Sequence, residues 1–150
     1  MQTLLPYPDF EQSAKVLDDQ RLCKQRVEAY QILLALLGEQ RGWDAHPAVC
    51  MWRGAERGLV TYALRMCQEW EKRGHQDRLA RKIVELYPRV QTALKRPAWL
   101  GREEIHASHR SNLLRKNEAH YRQFGWAEPN DLKYVWPTKE RKEHGSIAGG

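Results

Sequence analysis

Apolar positions recur at helical spacing through most of the chain and divide it into a series of helices. Pro6 and Pro8 hold the first residues extended, because proline fixes its own φ and restrains the residue before it. Asp9 or Ser13 caps a short helix running to about Leu17. The next helix runs through Leu37, with Cys23, Val27, Tyr30, Leu34 and Leu37 as its apolar stripe and Gly38 as its stop. A loop over 39–46 leads into Pro47, a residue suited to a helix's first turn. From there Val49, Trp52, Leu59, Tyr62, Ala63, Met66 and Trp70 mark one face of a single long helix closed by Gly74. Residues 76–86 form a shorter helix stopped by Pro88, with 90–94 as a weak extension. Another helix spans 102–116, and 119–124 is its broken continuation. The fold expected is all-α, a compact single-domain helical bundle with an extended N-terminal segment and an irregular aromatic C-terminal segment over 131–137. The domain is expected to cover 1–137. Residues 138–150, with Lys139, Arg141 and Lys142, read as a flexible charged and Gly-rich tail.

Composition narrows the function. A chain of 150 residues is long enough to bury one real core. Its formal charge of +6 and pI near 9.4 favour a polyanionic partner, most often nucleic acid. No basic-then-apolar leader opens the sequence, and its longest apolar run, 32–37, is too short to span a bilayer. A cytoplasmic protein without a membrane partner is therefore expected. Cys23, Cys50 and Cys67 are odd in number and widely spaced, which fits free, mostly buried thiols in a reducing compartment. No Gly-rich phosphate loop, nucleophile elbow or paired-cysteine zinc pattern occurs. With no apolar stripe left over for a partner, a monomer is the expected state.

Two basic regions can form a polyanion surface. Arg21, Lys24, Gln25 and Arg26 crowd the start of the second helix. Lys95, Arg96, Arg102, His106, His109, Arg110, Arg115 and Lys116 gather around Trp99. Either this is a phosphate-binding face whose Trp stacks on or wedges between bases, or it is a solvated helix face over a core Trp. His106 and His109 share a helix face but lack a third metal ligand at suitable spacing. His46 before Pro47 reads first as a cap or turn residue. Glu28, one turn after Lys24, is either a surface ion pair or a carboxylate placed for acid/base work among bases and amides.

The run Leu17-x-Asp19-Gln20-x-Leu22 followed by Glu28 resembles the opening of the pyrimidine-dimer DNA glycosylase/AP lyase family, the phage endonuclease V type. Other elements fall in the same order. His46 precedes a long helix ending in Glu69-x-x-Lys72-Arg73-Gly74, His109-x-Ser111 begins a basic helix, and an aromatic segment closes the chain. The whole is similar to a divergent cellular branch of that family. The resemblance implies a small all-α domain whose N-terminus is threaded into the active site. It also implies a terminal α-amine that attacks deoxyribose C1′ beside a damaged pyrimidine, forming an imine. A glutamate then assists base loss and the β-elimination that nicks the strand. It implies no metal or organic cofactor, and a bent duplex carrying a damaged or abasic site as partner, hence nucleoid association. On this resemblance Glu28 and Met1 are catalytic, and Gln2, Arg21, Lys24, Gln25, Arg26, His46, His109, Arg110, Arg115 and Lys116 bind DNA.

The chemistry is sound in general terms. An α-amine titrates near pH ~7.7–8.0, so a useful fraction is neutral and nucleophilic near pH 7. A nearby carboxylate carries protons and stabilises the cation that grows as the base departs. Two departures from the family stand out. Its nucleophile is a threonine exposed by methionine removal, whereas Gln2 is too bulky for routine removal, which moves the role to Met1. The arginines that flank the family glutamate are replaced by Val27 and Gln31. Three functions remain open on sequence alone: a repair glycosylase/AP lyase, a non-catalytic DNA-binding module of the same fold, and a helical protein-interaction domain.

Overall fold

The computed structural model describes residues 1–91 and 95–137. Among the described residues seven α-helices follow in the order α1 (Phe10–Val16), α2 (Asp19–Leu36), α3 (Pro47–Cys50), α4 (Glu56–Lys72), α5 (Leu79–Leu86), α6 (Glu103–Lys116) and α7 (Glu118–Tyr121). Short 3₁₀ turns lie at Arg41–Trp43, Tyr87–Arg89 and Arg122–Phe124. There is no strand among the described residues, so the all-α class holds. Residues 92–94 of the weak extension and the tail from 138 fall outside the described residues.

Local chemistry sets the helix ends. Asp9 caps α1 by accepting the Gln12 N–H at 2.8 Å. Ser13, the other cap candidate, instead pairs with both backbone groups of Tyr7, at 3.1 and 2.9 Å. His46 caps α3, its Nδ1 accepting the Ala48 N–H at 3.0 Å, with Pro47 in the first turn. The single helix expected over 47–74 is in fact two. Gly54 takes φ 89°, a left-handed conformation that interrupts helical propagation, and α4 restarts at Glu56. A continuous run of apolar positions did not reveal this break, because residues on both sides of it enter one core.

α4 is the centre of the packing, with α1, α2 and α5 against it. Trp52, Leu59, Tyr62 and Met66 join Leu17, Leu22, Ile32 and Leu33 in one core, each fully buried. At Gly58 an added Cβ would stand 2.4 Å from the Lys95 carbonyl oxygen, so only glycine lets that strap lie against α4. The stripe expected on α2 is rotated from the one observed. Its buried residues are Leu22, Gln25, Arg26, Ala29, Ile32, Leu33 and Ala35, whereas Val27 is 38% exposed. The inward face of α2 carries two polar side chains with internal partners, which an apolar count cannot register. Trp99 is a core residue, 6% exposed, donating to the Met51 carbonyl at 2.6 Å; the wedge reading is therefore corrected. Of the three free cysteines only Cys67 is buried, while Cys23 and Cys50 are half-buried.

α6 is unusual in burying polar residues: His106, Ser108, His109, Arg110, Ser111 and Asn112 are all inside. The cause is that α6 holds two non-helical segments whose backbone groups need partners. On one side, Ser111 Oγ accepts the Leu132 N–H at 3.0 Å and Ser108 Oγ accepts the Val135 N–H at 3.1 Å. Asn112 Nδ2 donates to the Leu132 carbonyl at 3.0 Å, completing the seat of the aromatic C-terminal segment. The other segment is the N-terminus.

Candidate active site

Residues 2–6 form a thread outside any helix that is buried throughout. A non-helical segment inside a helical bundle has no ladder to satisfy it, so side chains from α2, α4, α6 and the turn before α4 take over. From α2, Gln25 Oε1 accepts the Leu4 N–H at 2.7 Å. From α4, the Tyr62 hydroxyl lies between the Leu4 carbonyl, at 2.9 Å, and Gln25 Oε1, sharing its single hydrogen. Trp52 Nε1 donates to Thr3 Oγ1 at 3.0 Å. From α6, His109 Nδ1 accepts the Leu5 N–H and His106 Nδ1 donates to the Leu5 carbonyl, both at 2.8 Å. Arg110 Nη1 donates to the Pro6 carbonyl at 2.7 Å.

The thread ends at a carboxylate. Glu28 Oε1 lies 3.9 Å from the Met1 amine and accepts the Gln2 N–H at 3.3 Å. Gln25 Nε2 reaches Glu28 Oε2 at 3.5 Å, so one amide orients both thread and carboxylate. The Met1 side chain is only 2% exposed although the residue as a whole is half-buried, so its main-chain end is what faces solvent. Around this end lies a cleft of about 210 Å³, lined by Met1, Gln2, Gln25, Glu28, Tyr134 and three cations, Arg21, Lys24 and Lys116. Burial, and then the Glu28 charge, push the Tyr62 hydroxyl well above its ordinary range, which keeps it a neutral donor.

Lys116 is pushed below the usual lysine range, first by partial burial and then by Arg21, Arg115 and Lys24. Like charges held together in this way are relieved by an anion, and the rim suits a phosphodiester. His46 is held low by burial, with the Met1 ammonium acting in the same direction and Glu28 opposing. It thus senses the site's charges while its ring stacks on Trp43 and meets Trp136 edge-on, each 6.2 Å away.

Three residues expected on the DNA surface lie inside instead. Arg26 is 8% exposed, paired with Asp77 and laid over the Trp70 ring at 4.8 Å. Arg110 is 7% exposed and bridges Glu103 and Glu128 at 2.6 and 2.8 Å. His109 is fully buried on the thread. Gln2 and Gln25 are also mostly buried but reach the cleft, whereas Arg115 stays on the surface near its rim. The sequence reading missed Tyr62 and Tyr134 as site residues; each looked like one more apolar position. No cluster of three or more potential metal ligands occurs among the described residues, and none of their helices is long and apolar enough to cross a membrane.

The buried histidines carry a pH dependence. Burial first, then the neighbouring His106 and Arg110, push the His109 imidazole down to about 3. His106 is lowered chiefly by burial, against the pull of its bond to Leu5. Each ring accepts a backbone N–H in the fold, His109 through Nδ1 and His106 through Nε2, and is therefore neutral there, whereas the unfolded chain takes up protons below about pH 6.5. Stability present above that pH is therefore lost as pH falls, by about 1.4 kcal/mol per unit for each ring still neutral. From pH 7 to 5 the expected loss from His109 alone is about 2 kcal/mol, or roughly 4–8 °C in melting temperature. Thermal unfolding followed at both pH values checks this, and a midpoint that does not fall would contradict it.

A family model for pyrimidine dimer DNA glycosylase matches residues 1–83, more than half of the 150-residue chain. The chain belongs to the pyrimidine dimer DNA glycosylase family. No curated protein and no solved structure matches it significantly. Family membership makes this a DNA repair protein, with DNA as its partner and pyrimidine-dimer glycosylase activity as its class. The matched stretch holds the thread, Gln25, Glu28 and Tyr62; α6, Lys116 and Tyr134 lie beyond it.

Proposed function

We propose that this glycosylase is also an AP lyase, with the Met1 α-amine as nucleophile and Glu28 as its acid/base partner. The observation that carries the reading is the approach of the amine to Glu28, 3.9 Å, inside a cation-rimmed cleft. The neutral amine attacks C1′ of the damaged nucleotide, and the base departs with the glycosidic electron pair. Loss of the nitrogen's proton and ring opening leave an imine between the protein and C1′. Glu28 then accepts a proton from C2′, the electrons form the C2′–C3′ double bond, and the 3′ phosphate leaves. Water hydrolyses the imine and frees the amine. The Glu28 charge also stabilises the cation that develops at the sugar as the base departs. Extruding the nucleotide is least costly at a lesion, which favours damaged over intact DNA.

Arg21, Lys24 and Lys116 hold the phosphates that flank the lesion. Neutralising any one of them, as in Lys116→Gln, is expected to weaken binding to all duplexes alike. It should also reduce the slope of log affinity against log salt by about one. Titrations at several salt concentrations measure this; an unchanged slope for all three variants would remove the rim from the DNA path.

A shorter chain offers a second form of the same chemistry. The Gln2 nitrogen lies 3.3 Å from Glu28 Oε1, nearer than the Met1 amine, and would become the terminal amine if Met1 were removed. The function is tested on duplex oligonucleotides carrying a thymine dimer, an abasic site or no lesion. Nicking at the two lesions and not in the intact duplex is expected. Absence of both base release and nicking at either lesion would leave only a binding module.

A further inference from the structure

We infer that His106 and His109 are positioning residues for this reaction, fixing the register of the N-terminal thread and so the place of its amine beside Glu28. The inference rests on the amine reading above and deepens it. Its basis lies on α6, which stands far from Met1 in sequence and outside the family match.

Spaced i, i+3, the two rings face the thread from one side of the helix. Leu5 N–H can only donate, so His109 Nδ1 is bare and the proton sits on Nε2. Leu5 carbonyl can only accept, so His106 Nδ1 carries its proton; its Nε2 in turn accepts the Gly101 N–H at 3.0 Å. The two histidines thus hold opposite tautomers and together imitate the facing residue of a β-ladder. Neither remaining atom competes for the role. His109 Nε2 has no hydrogen-bond partner within the protein, and its ring meets Tyr134 edge-to-face at 5.5 Å.

This pairing admits one register. Sliding the thread one residue toward the cleft brings Pro6 opposite His109, and proline has no N–H to give. Withdrawing it by one residue brings Leu4 there and strips Leu4 from Gln25 and Tyr62. The outward slip carries the amine about 3.3 Å further from Glu28, and the inward one is opposed by the bonds it breaks at Leu4. Misplacement of a reacting group by about 1 Å already costs about a hundredfold in rate. A clamp four residues from the amine therefore governs the chemical step without touching the DNA.

The test separates rate from affinity. His109→Leu keeps the bulk and removes the acceptor. We expect borohydride trapping on a saturating abasic duplex to slow at least about a hundredfold, with affinity for that duplex within about threefold of wild type. In His109→Asn an amide oxygen stands where Nδ1 stood, and trapping is expected to recover to within about tenfold. A Leu variant that traps at the wild-type rate would overturn the role. So would rate and affinity falling together with no recovery in the Asn variant. Ring ¹⁵N spectra of the unmodified protein at pH 7 decide the matter if the Leu variant does not fold. Opposite tautomers, Nε2–H on His109 and Nδ1–H on His106, are required, and the same tautomer on both overturns the clamp. Should the wild-type protein trap no DNA at all, the amine reading itself fails and the positioning role goes with it. The same spectra then tell that failure apart from a thread that is simply not clamped.

Discussion

Replacing Glu28 by glutamine is expected to slow strand nicking at an abasic site about a thousandfold while leaving DNA binding intact or tighter. Glutamine keeps the volume and an oxygen for the Gln2 N–H, now 3.3 Å away; it gives up only the long 3.5 Å contact from Gln25 Nε2, whose Oε1 still holds Leu4 at 2.7 Å. What is lost is the charge and the ability to accept the C2′ proton. A positioned acid or base is worth roughly 10²–10⁴ in rate, and stabilisation of the growing cation adds to it. Glu28 is also the one carboxylate among the described residues that line the cleft, facing Arg21, Lys24 and Lys116. Removing a negative charge from that rim raises its attraction for phosphate. Single-turnover nicking and equilibrium binding on the same duplex separate the two effects. A variant that nicks within tenfold of wild type would take Glu28 out of the chemistry.

The second large effect concerns length rather than identity. Inserting one glutamine after Met1 is expected to reduce imine trapping by at least about a hundredfold, with the fold and DNA affinity preserved. The thread is anchored at Leu4, Leu5 and Pro6 by Gln25, Tyr62, His106, His109 and Arg110, so extra length must emerge at the free end. One extended residue carries the amine about 3.3 Å further, away from the present 3.9 Å approach to Glu28. A second glutamine keeps the residue after the methionine bulky, so the end group is unchanged. Trapping at the wild-type rate would mean that the terminal nitrogen is not the nucleophile, or that the thread slides freely.

Periodicity and punctuation marked most of the helices, because those signals are local. The ends of α1, α2 and α6 follow from Asp9, Gly38 and the close of the basic run at Lys116. Glu28 stood out as a carboxylate among bases, and the structure brings the Met1 amine to it. The interior polar network did not show. Arg26 and Arg110 carry the same charge as a phosphate-binding arginine, and only their partners Asp77, Glu103 and Glu128 reveal them as internal. The bond from Leu5 to His109 joins residues 104 positions apart, beyond any window of sequence pattern. One signal was present in principle. A helix as poor in apolar residues as α6, between core elements, must bury polar groups, and the extended thread needed donors and acceptors from somewhere.

If the chain's own terminal nitrogen bonds to DNA, borohydride reduction fixes that bond in place. The protein, with an unblocked N-terminus, is mixed with a duplex containing one abasic site and reduced, and the adduct is digested and mapped by mass spectrometry. A single adduct is expected on the terminal nitrogen of the N-terminal peptide, on Met1 or on Gln2 in a chain lacking Met1, and it should disappear when that amine is acetylated. No adduct, or one carried by a side chain such as Lys24 or Lys116, would contradict it.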